Sequence, residues 1–297
     1  MSNIQHVVVY GGGTMGQGIA ELLSKKGLEV TIIEKTKIHA DHAQHQIETS
    51  LDKQLSKWGI THAEKKSILS RIDFAADESP LKHADLVIET VTEDLDEKKS
   101  VFDRCDRMCP RETILASNTS TLSLTELAAV TRRPDQVIGL HFLHPVTRLD
   151  LVEIVRGLKT SQETVDEMKA FLDRLELTGV EVFESPGFVT TRLIVTIINE
   201  AINTLMEGVA TAEDIDIAMK RGFQFPYGPL EMADRFGLDS VLASMERLFR
   251  EYGDTKFRPS PLLKKMVRAN HLGVKTGEGF FHYDEDGDRI EKEGRLQ

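Results

Sequence analysis

Apolar and polar positions alternate along the first half of the chain in a rhythm of strand, helix and strand. The apolar run His6 to Tyr10 ends at Gly11-Gly12-Gly13, and Met15 to Lys25 then carries helical periodicity that stops at Gly27. A second run, Glu29 to Ile33, closes at Glu34, so the opening segment predicts a parallel βαβ unit with a right-handed crossover. Polar helical stretches follow from Ile38 to Trp58 and from Thr61, where Thr61 and Glu64 have capping-box spacing. They form a helical insertion of about residues 38–70. Strands resume at Ile72 to Ala75, Asp85 to Val91, Thr113 to Ser117 and Val137 to Phe142, alternating with helices that include Glu97 to Met108 and Leu122 to Ala129. This order predicts an α/β fold with a doubly wound, Rossmann-type sheet.

A further strand, Leu149 to Val155, a helix, Ser161 to Leu175, and a last strand, Val180 to Phe183, complete this part. From Ser185 onward strands vanish. Phe188 to Met206 reads as a helix apolar around most of its circumference, which must be buried on nearly every side and so belongs at a domain or subunit interface. Helices led by Ala212, Pro229 and Leu238 follow, predicting a smaller all-α domain over 186–297 after a first domain over 1–185.

The length of 297 residues agrees with two domains, and 40% hydrophobic with 29% charged residues describes an ordinary globular chain. A net charge of −11 argues against nucleic acid as a partner, since phosphate contacts need a basic face. Met1 to Val9 moves directly into a strand with no basic leader, and Leu193 to Ile198 is far too short to span a bilayer; the expected location is the cytoplasm, away from membrane. Cys105 and Cys109 share a helix face, but two thiols make a poor metal site, and no metal is expected.

Candidate chemistry begins at Gly11-Gly12-Gly13-Thr14-Met15-Gly16, a G-x-G-x-x-G pattern between a strand and a helix. Gly11 permits the tight turn, Gly13 lets a pyrophosphate approach the backbone, Gly16 lets helix and strand pack, and the helix N-terminus carries the anion. Glu34, 18 residues beyond Gly16, stands where an acid accepts hydrogen bonds from the adenosine ribose. A carboxylate there repels the extra phosphate of NADP, so the expected cofactor is NAD.

The segment Ile138 to Pro145 brings His141 and His144 to the end of a strand, at the edge of the sheet where open α/β folds bind ligands. Glu153 follows twelve residues after His141, among Leu151, Val152, Ile154 and Val155. A carboxylate in such surroundings needs a partner, and an imidazole suits it, because the acid fixes the ring's tautomer and stabilises the imidazolium.

Gly11 to Gly16, Ser117-Asn118-Thr119-Ser120, His141-Phe142 with Pro145, Leu151-Val152-Glu153, Pro186-Gly187-Phe188 and Lys275-Thr276-Gly277-Glu278-Gly279 together resemble the 3-hydroxyacyl-CoA and 3-hydroxybutyryl-CoA dehydrogenases, over about His6 to His282. The resemblance implies an enzyme of fatty acid metabolism that oxidises a short (3S)-3-hydroxyacyl-CoA with NAD, or runs in reverse, and forms a homodimer through its C-terminal domain. It implies that His141 is the base, that Glu153 orients it and that Ser120 bonds the substrate oxygen beside the nicotinamide. Glu93, Lys98 and Lys275 match positions that touch the nucleotide, although Glu93 and Lys98 also read as a solvated helix-start pair. Ser50 and Lys57 match residues that hold coenzyme A, and seven residues separate two helical turns on one face.

Two positions depart from the family pattern. His144, beside the nicotinamide, and Thr191, a candidate catalytic hydroxyl, replace its asparagines. Thr147-Arg148-Leu149-Asp150 is also more polar than the usual run before Leu151. Two other readings therefore stay open: a dehydrogenase of a more polar hydroxy acid, like the carnitine and gulonate enzymes, or of a carrier-bound hydroxyacyl group, and a non-catalytic NAD-binding protein like the crystallins on this scaffold.

Overall fold

The computed structural model describes residues 4–290, in two compact units that meet in sequence at Ser185 and Pro186. The first opens with β1 (His6–Tyr10), α1 (Thr14–Lys25) and β2 (Glu29–Ile33). The helical insertion follows as α2 (Lys37–Ser56) and α3 (His62–Leu69), the latter started by the capping box of Thr61 and Glu64. The chain continues through β3 (Ile72–Ala75), β4 (Leu86–Glu89), α4 (Leu95–Met108), β5 (Ile114–Ser117), α5 (Leu124–Ala128) and β6 (Val137–Phe142). The unit ends with β7 (Leu151–Arg156), α6 (Gln162–Arg174) and β8 (Thr178–Phe183).

These eight strands form one sheet in the order β3-β2-β1-β4-β5-β6-β7-β8. The first six run parallel, and the winding reverses between β1 and β4, the place where open sheets of this kind leave a crevice beyond the strand ends. β1 and β6 are buried along nearly their whole length, between helices on either face. β7 runs antiparallel to β6 and β8 parallel to β7. The cause is chain length. Only residues 143–150 join β6 to β7, too few for the crossover of a dozen or more residues that a parallel strand requires. The return places Glu153 directly opposite His141.

The end of α2 holds an unusual residue. The Trp58 N–H reaches the Leu55 carbonyl at 3.1 Å and the Gly59 N–H reaches Gln54 at 2.8 Å, the two bonds of a Schellman C-cap. Its left-handed position, normally glycine, is Trp58 at φ 57°, which costs about 1–2 kcal/mol in an L-residue. The Trp58 side chain is 95% exposed.

The second unit contains α7 (Thr190–Met206), α8 (Ala212–Phe223), α9 (Pro229–Phe236), α10 (Leu238–Tyr252) and α11 (Pro261–Arg268). Ile198, Ile202, Leu230, Ala233, Leu238, Val241 and Leu263 form its core. The buried Asp234 carboxylate accepts from the Phe280 and Phe281 N–H groups, each at 2.9 Å, and from the Tyr283 hydroxyl at 3.0 Å. A Cβ on Gly279 would lie 2.0 Å from Asp234 Oδ1, so the glycine closing Lys275 to Gly279 is required by packing. Within one chain α7 covers Val195, Ile198, Ala201 and Ile202 and leaves Leu193 and Met206 open, the part of its apolar surface that its own unit does not bury. No helix among the described residues is long and apolar enough to cross a membrane, and no group of three or more His, Cys, Asp or Glu side chains among them could hold a metal ion.

Candidate active site

The glycine turn between β1 and α1 lies at the reversal point of the sheet. Gly11 has φ 110°, and a Cβ there would press to 3.0 Å on the Thr90 backbone beyond β4. A Cβ on Gly16 would come within 1.9 Å of the Gly11 carbonyl oxygen, so helix and turn meet only because Gly16 has no side chain. Gly13 differs: a Cβ there would meet nothing within 4 Å. It faces open space at the N-terminus of α1, where no side chain caps the helix and Thr14 is exposed. The first-turn N–H groups of Thr14, Met15 and Gly16 can have no intrahelical partner, and an anion suits both them and the helix dipole. Glu34, at the end of β2, accepts from the Gly12 N–H at 2.7 Å and from the Lys35 N–H at 3.0 Å. The carboxylate is thus anchored beside the turn, with lone pairs remaining for ribose hydroxyls. Open backbone, free N–H groups and an anchored acid together fit a dinucleotide.

The same sheet edge carries the ends of β4, β5 and β6. Burial of Lys98, 1% exposed, overturns its reading as part of a solvated pair. Its ammonium donates to Glu89 Oε1 at 2.7 Å and to the Val91 carbonyl at 3.1 Å, and lies 3.4 Å from Glu93 Oε2. Burial pushes the Glu89 carboxyl above its ordinary range against the pull of Lys98, Ser117 and the Val91 N–H. Burial also opposes ionisation of Glu93, but Lys98 and the groups of Thr119, Ser120 and Thr121 outweigh it and hold the carboxyl low. Glu93 Oε1 accepts from Thr119 Oγ1 at 2.5 Å and from the N–H groups of Ser120 and Thr121 at 3.1 and 3.2 Å. One buried cation therefore holds the acid that clamps the loop bearing Ser120.

Two members of this arrangement escaped the sequence reading. Glu89 closes an apolar strand just as Glu34 does, which was the available signal. Asn118 Oδ1 accepts from the Phe142 N–H at 2.9 Å and ties the end of β5 to the strand of His141; nothing in its spacing announced this bond.

His141 and Glu153 are 6% and 1% exposed. Directly opposed residues on antiparallel strands put their side chains on one face, within reach of each other. His141 Nδ1 lies 2.6 Å from Glu153 Oε2. With the carboxylate accepting from Nδ1–H, Nε2 becomes the basic nitrogen. His144, three residues on, makes no hydrogen bond among the described residues, and burial pushes its imidazole below the ordinary histidine range, favouring a neutral ring.

The remaining candidates are carried by other elements. Ser50 donates to Glu21 Oε2 on α1 at 2.9 Å and so ties the insertion to the sheet-covering helix. Lys57 is exposed and follows the last residue of α2. Thr191 sits half-buried in the first turn of α7, and Lys275 Nζ lies 2.5 Å from Asp239 Oδ1, both within the second unit.

A glycine cradle at the reversal point of a doubly wound sheet, with a buried imidazole and carboxylate at the same edge, defines a nicotinamide-dependent dehydrogenase. Comparison with known sequences specifies which kind. The 3-hydroxyacyl-CoA dehydrogenase NAD binding domain matches residues 6–185, and the C-terminal domain of the same family matches 187–283. The chain belongs to the 3-hydroxyacyl-CoA dehydrogenase family. The probable 3-hydroxybutyryl-CoA dehydrogenase of Bacillus subtilis is 44% identical over 282 residues, 95% of this chain and 98% of that one. The 3-hydroxybutyryl-CoA dehydrogenase of Clostridioides difficile is also 44% identical, over 94% and 99%. Among solved structures, M. tuberculosis FadB2 superposes with TM-score 0.92 at 37% identity, over 95% and 99% of the two chains. The (S)-3-hydroxybutyryl-CoA dehydrogenase of Ralstonia eutropha gives 0.88 at 42%, over 95% and 100%.

Proposed function

We propose that this chain interconverts a short (3S)-3-hydroxyacyl-CoA and its 3-oxoacyl-CoA with NAD, using His141 as general base and acid. The observation that carries the reading is the 2.6 Å contact of His141 and Glu153 on the strand beside the glycine cradle. NAD supplies the hydride acceptor. Gly11, Gly13, Thr14, Met15 and Gly16 hold its pyrophosphate, and Glu34 its adenosine ribose. Nε2 of His141 removes the proton of the 3-hydroxyl as hydride leaves C3, and Glu153 stabilises the imidazolium. Ser120 donates to the substrate oxygen from a loop held by Glu93 and Lys98. His144 and Lys275 serve the cofactor, Thr191 offers a hydroxyl to the substrate, and Ser50 and Lys57 lie along the coenzyme A portion.

NADH absorbance at fixed NAD tests this. The expected order has 3-hydroxybutyryl-CoA ahead of a long-chain thioester by about tenfold in kcat/KM, as a penalty of ~1–3 kcal/mol for methylenes that a short-chain pocket does not fit allows. Faster turnover of free polar hydroxy acids would replace the reading, and NAD binding with no turnover would reduce the protein to a scaffold.

A homodimer formed through the second unit completes the proposal. Leu193, Met206, Val209 and Phe223 are 60%, 45%, 70% and 71% exposed, and such apolar surface on one unit suits a protein interface. Sedimentation equilibrium is expected to give twice the 33.3 kDa chain mass, and a monomer at micromolar concentration would refute the dimer.

A further inference from the structure

Trp58 combines two locally unfavourable features. It occupies the left-handed position of the Schellman turn, where glycine costs least, while the available glycine stands one residue later. Its ring, 95% exposed, covers none of the core, whereas Ile60 two residues on is buried. Strain kept without a packing return points to a ligand contact. The neighbourhood indicates the ligand's chemistry: Lys57, exposed and without an ion pair among the described residues, immediately precedes Trp58 in the chain, and Lys53 is exposed one turn earlier. In a chain of net charge −11, a bare indole on a turn that also carries exposed lysines suits a planar base that carries phosphates.

We infer that Trp58 is a stacking platform for the adenine of the substrate's coenzyme A portion, with Lys57 facing its phosphates. This rests on the acyl-CoA reading above and adds a specificity residue to it. The indole holds the nucleotide end while the flexible pantetheine arm carries the thioester to His141. Trp58 should therefore act on KM and leave the chemical step alone.

Trp58 is the only tryptophan of the chain, so its fluorescence reports this site alone. With the enzyme saturated in NAD, coenzyme A and adenosine 3′,5′-bisphosphate are expected to quench the emission, and pantetheine is expected to leave it unchanged. Trp58→Ala should raise KM for acetoacetyl-CoA about tenfold, within the usual contribution of base stacking, with a far smaller change in kcat. KM for acetoacetyl-pantetheine should not move. Trp58→Phe should recover most of the affinity. Trp58→Gly should show the same KM defect while melting about 2 °C higher, because glycine relieves the turn.

Absence of quenching by coenzyme A overturns the inference, as does an equal rise in KM for both thioesters. Quenching that follows protein concentration without ligand overturns it in favour of contact with a second copy of the chain. If the unaltered enzyme turns over neither thioester, the acyl-CoA reading fails, and the fluorescence titration still decides whether Trp58 meets coenzyme A.

Discussion

Replacing His141 by alanine is expected to lower kcat about a thousandfold while NAD binds as before. The loss follows from removing a positioned acid–base group, usually worth ~10²–10⁴ in rate. NAD affinity should survive because its proposed contacts, on the turn after β1, at the end of β2 and at His144 and Lys275, do not include His141. The variant also leaves Glu153, 1% exposed, without the His141 imidazole. Breaking one side of a buried pair commonly costs about 3–5 kcal/mol unless the acid takes up a proton, so the melting temperature should fall as well. Removing both groups separates the two effects: His141→Ala with Glu153→Ala should regain much of the stability and none of the turnover. Glu153→Gln alone keeps the shape but removes the charge that stabilises the imidazolium, and a loss of about a hundredfold is expected. The two losses should not multiply, since both act through one imidazole. Steady-state rates, calorimetric titration with NAD and thermal unfolding read these outcomes. Undiminished kcat in His141→Ala would remove the proposed chemistry.

The parts of this site that were legible in the sequence share one property: their partners are set by strand order or by covalent neighbours. Glycine spacing gave the turn, and the acid closing β2 gave Glu34. The pairing of His141 with Glu153 was legible as chemistry, a buried acid in need of a cation, before any geometry was known. Its structural cause, the antiparallel return of β7, was also available in the eight residues of 143–150 but depends on a length argument that hydrophobic periodicity does not make. Long-range contacts were the illegible part. Lys98 reads as a surface lysine because helix α4 is polar around it, yet it meets Glu89, nine residues back on β4. Ser50 stands on a polar helix, and nothing in its spacing announces that its hydroxyl donates to an acid 29 residues earlier. Trp58 reads as the last residue of a polar helical stretch, and only the backbone shows it in a left-handed cap.

The glycine turn supports a second large effect, because two of its glycines are required for different reasons. Gly16 is required by the protein. A methyl group there would stand 1.9 Å from the Gly11 carbonyl oxygen, which is backbone and cannot rotate away, so Gly16→Ala should force β1 and α1 apart. A loss of about 3 kcal/mol or more in stability is expected, in the range of overpacked, strained positions. Gly13 places no such demand on the fold. Its φ of −71° suits any residue, and a Cβ there meets nothing within 4 Å. Gly13→Ala should therefore fold and melt like the parent. Any defect must come from something absent from the protein itself that needs the space. A pyrophosphate lying against the turn would collide with the methyl group and lose its approach to the N–H groups of α1, at a cost of about 2–3 kcal/mol, or roughly a hundredfold in Kd for NAD. The informative result is the contrast: unchanged melting with weakened NAD for Gly13→Ala, and lowered melting for Gly16→Ala. If Gly13→Ala bound NAD as tightly as the parent, the pyrophosphate could not cross this turn, and the cofactor pocket would have to be sought elsewhere along the sheet edge.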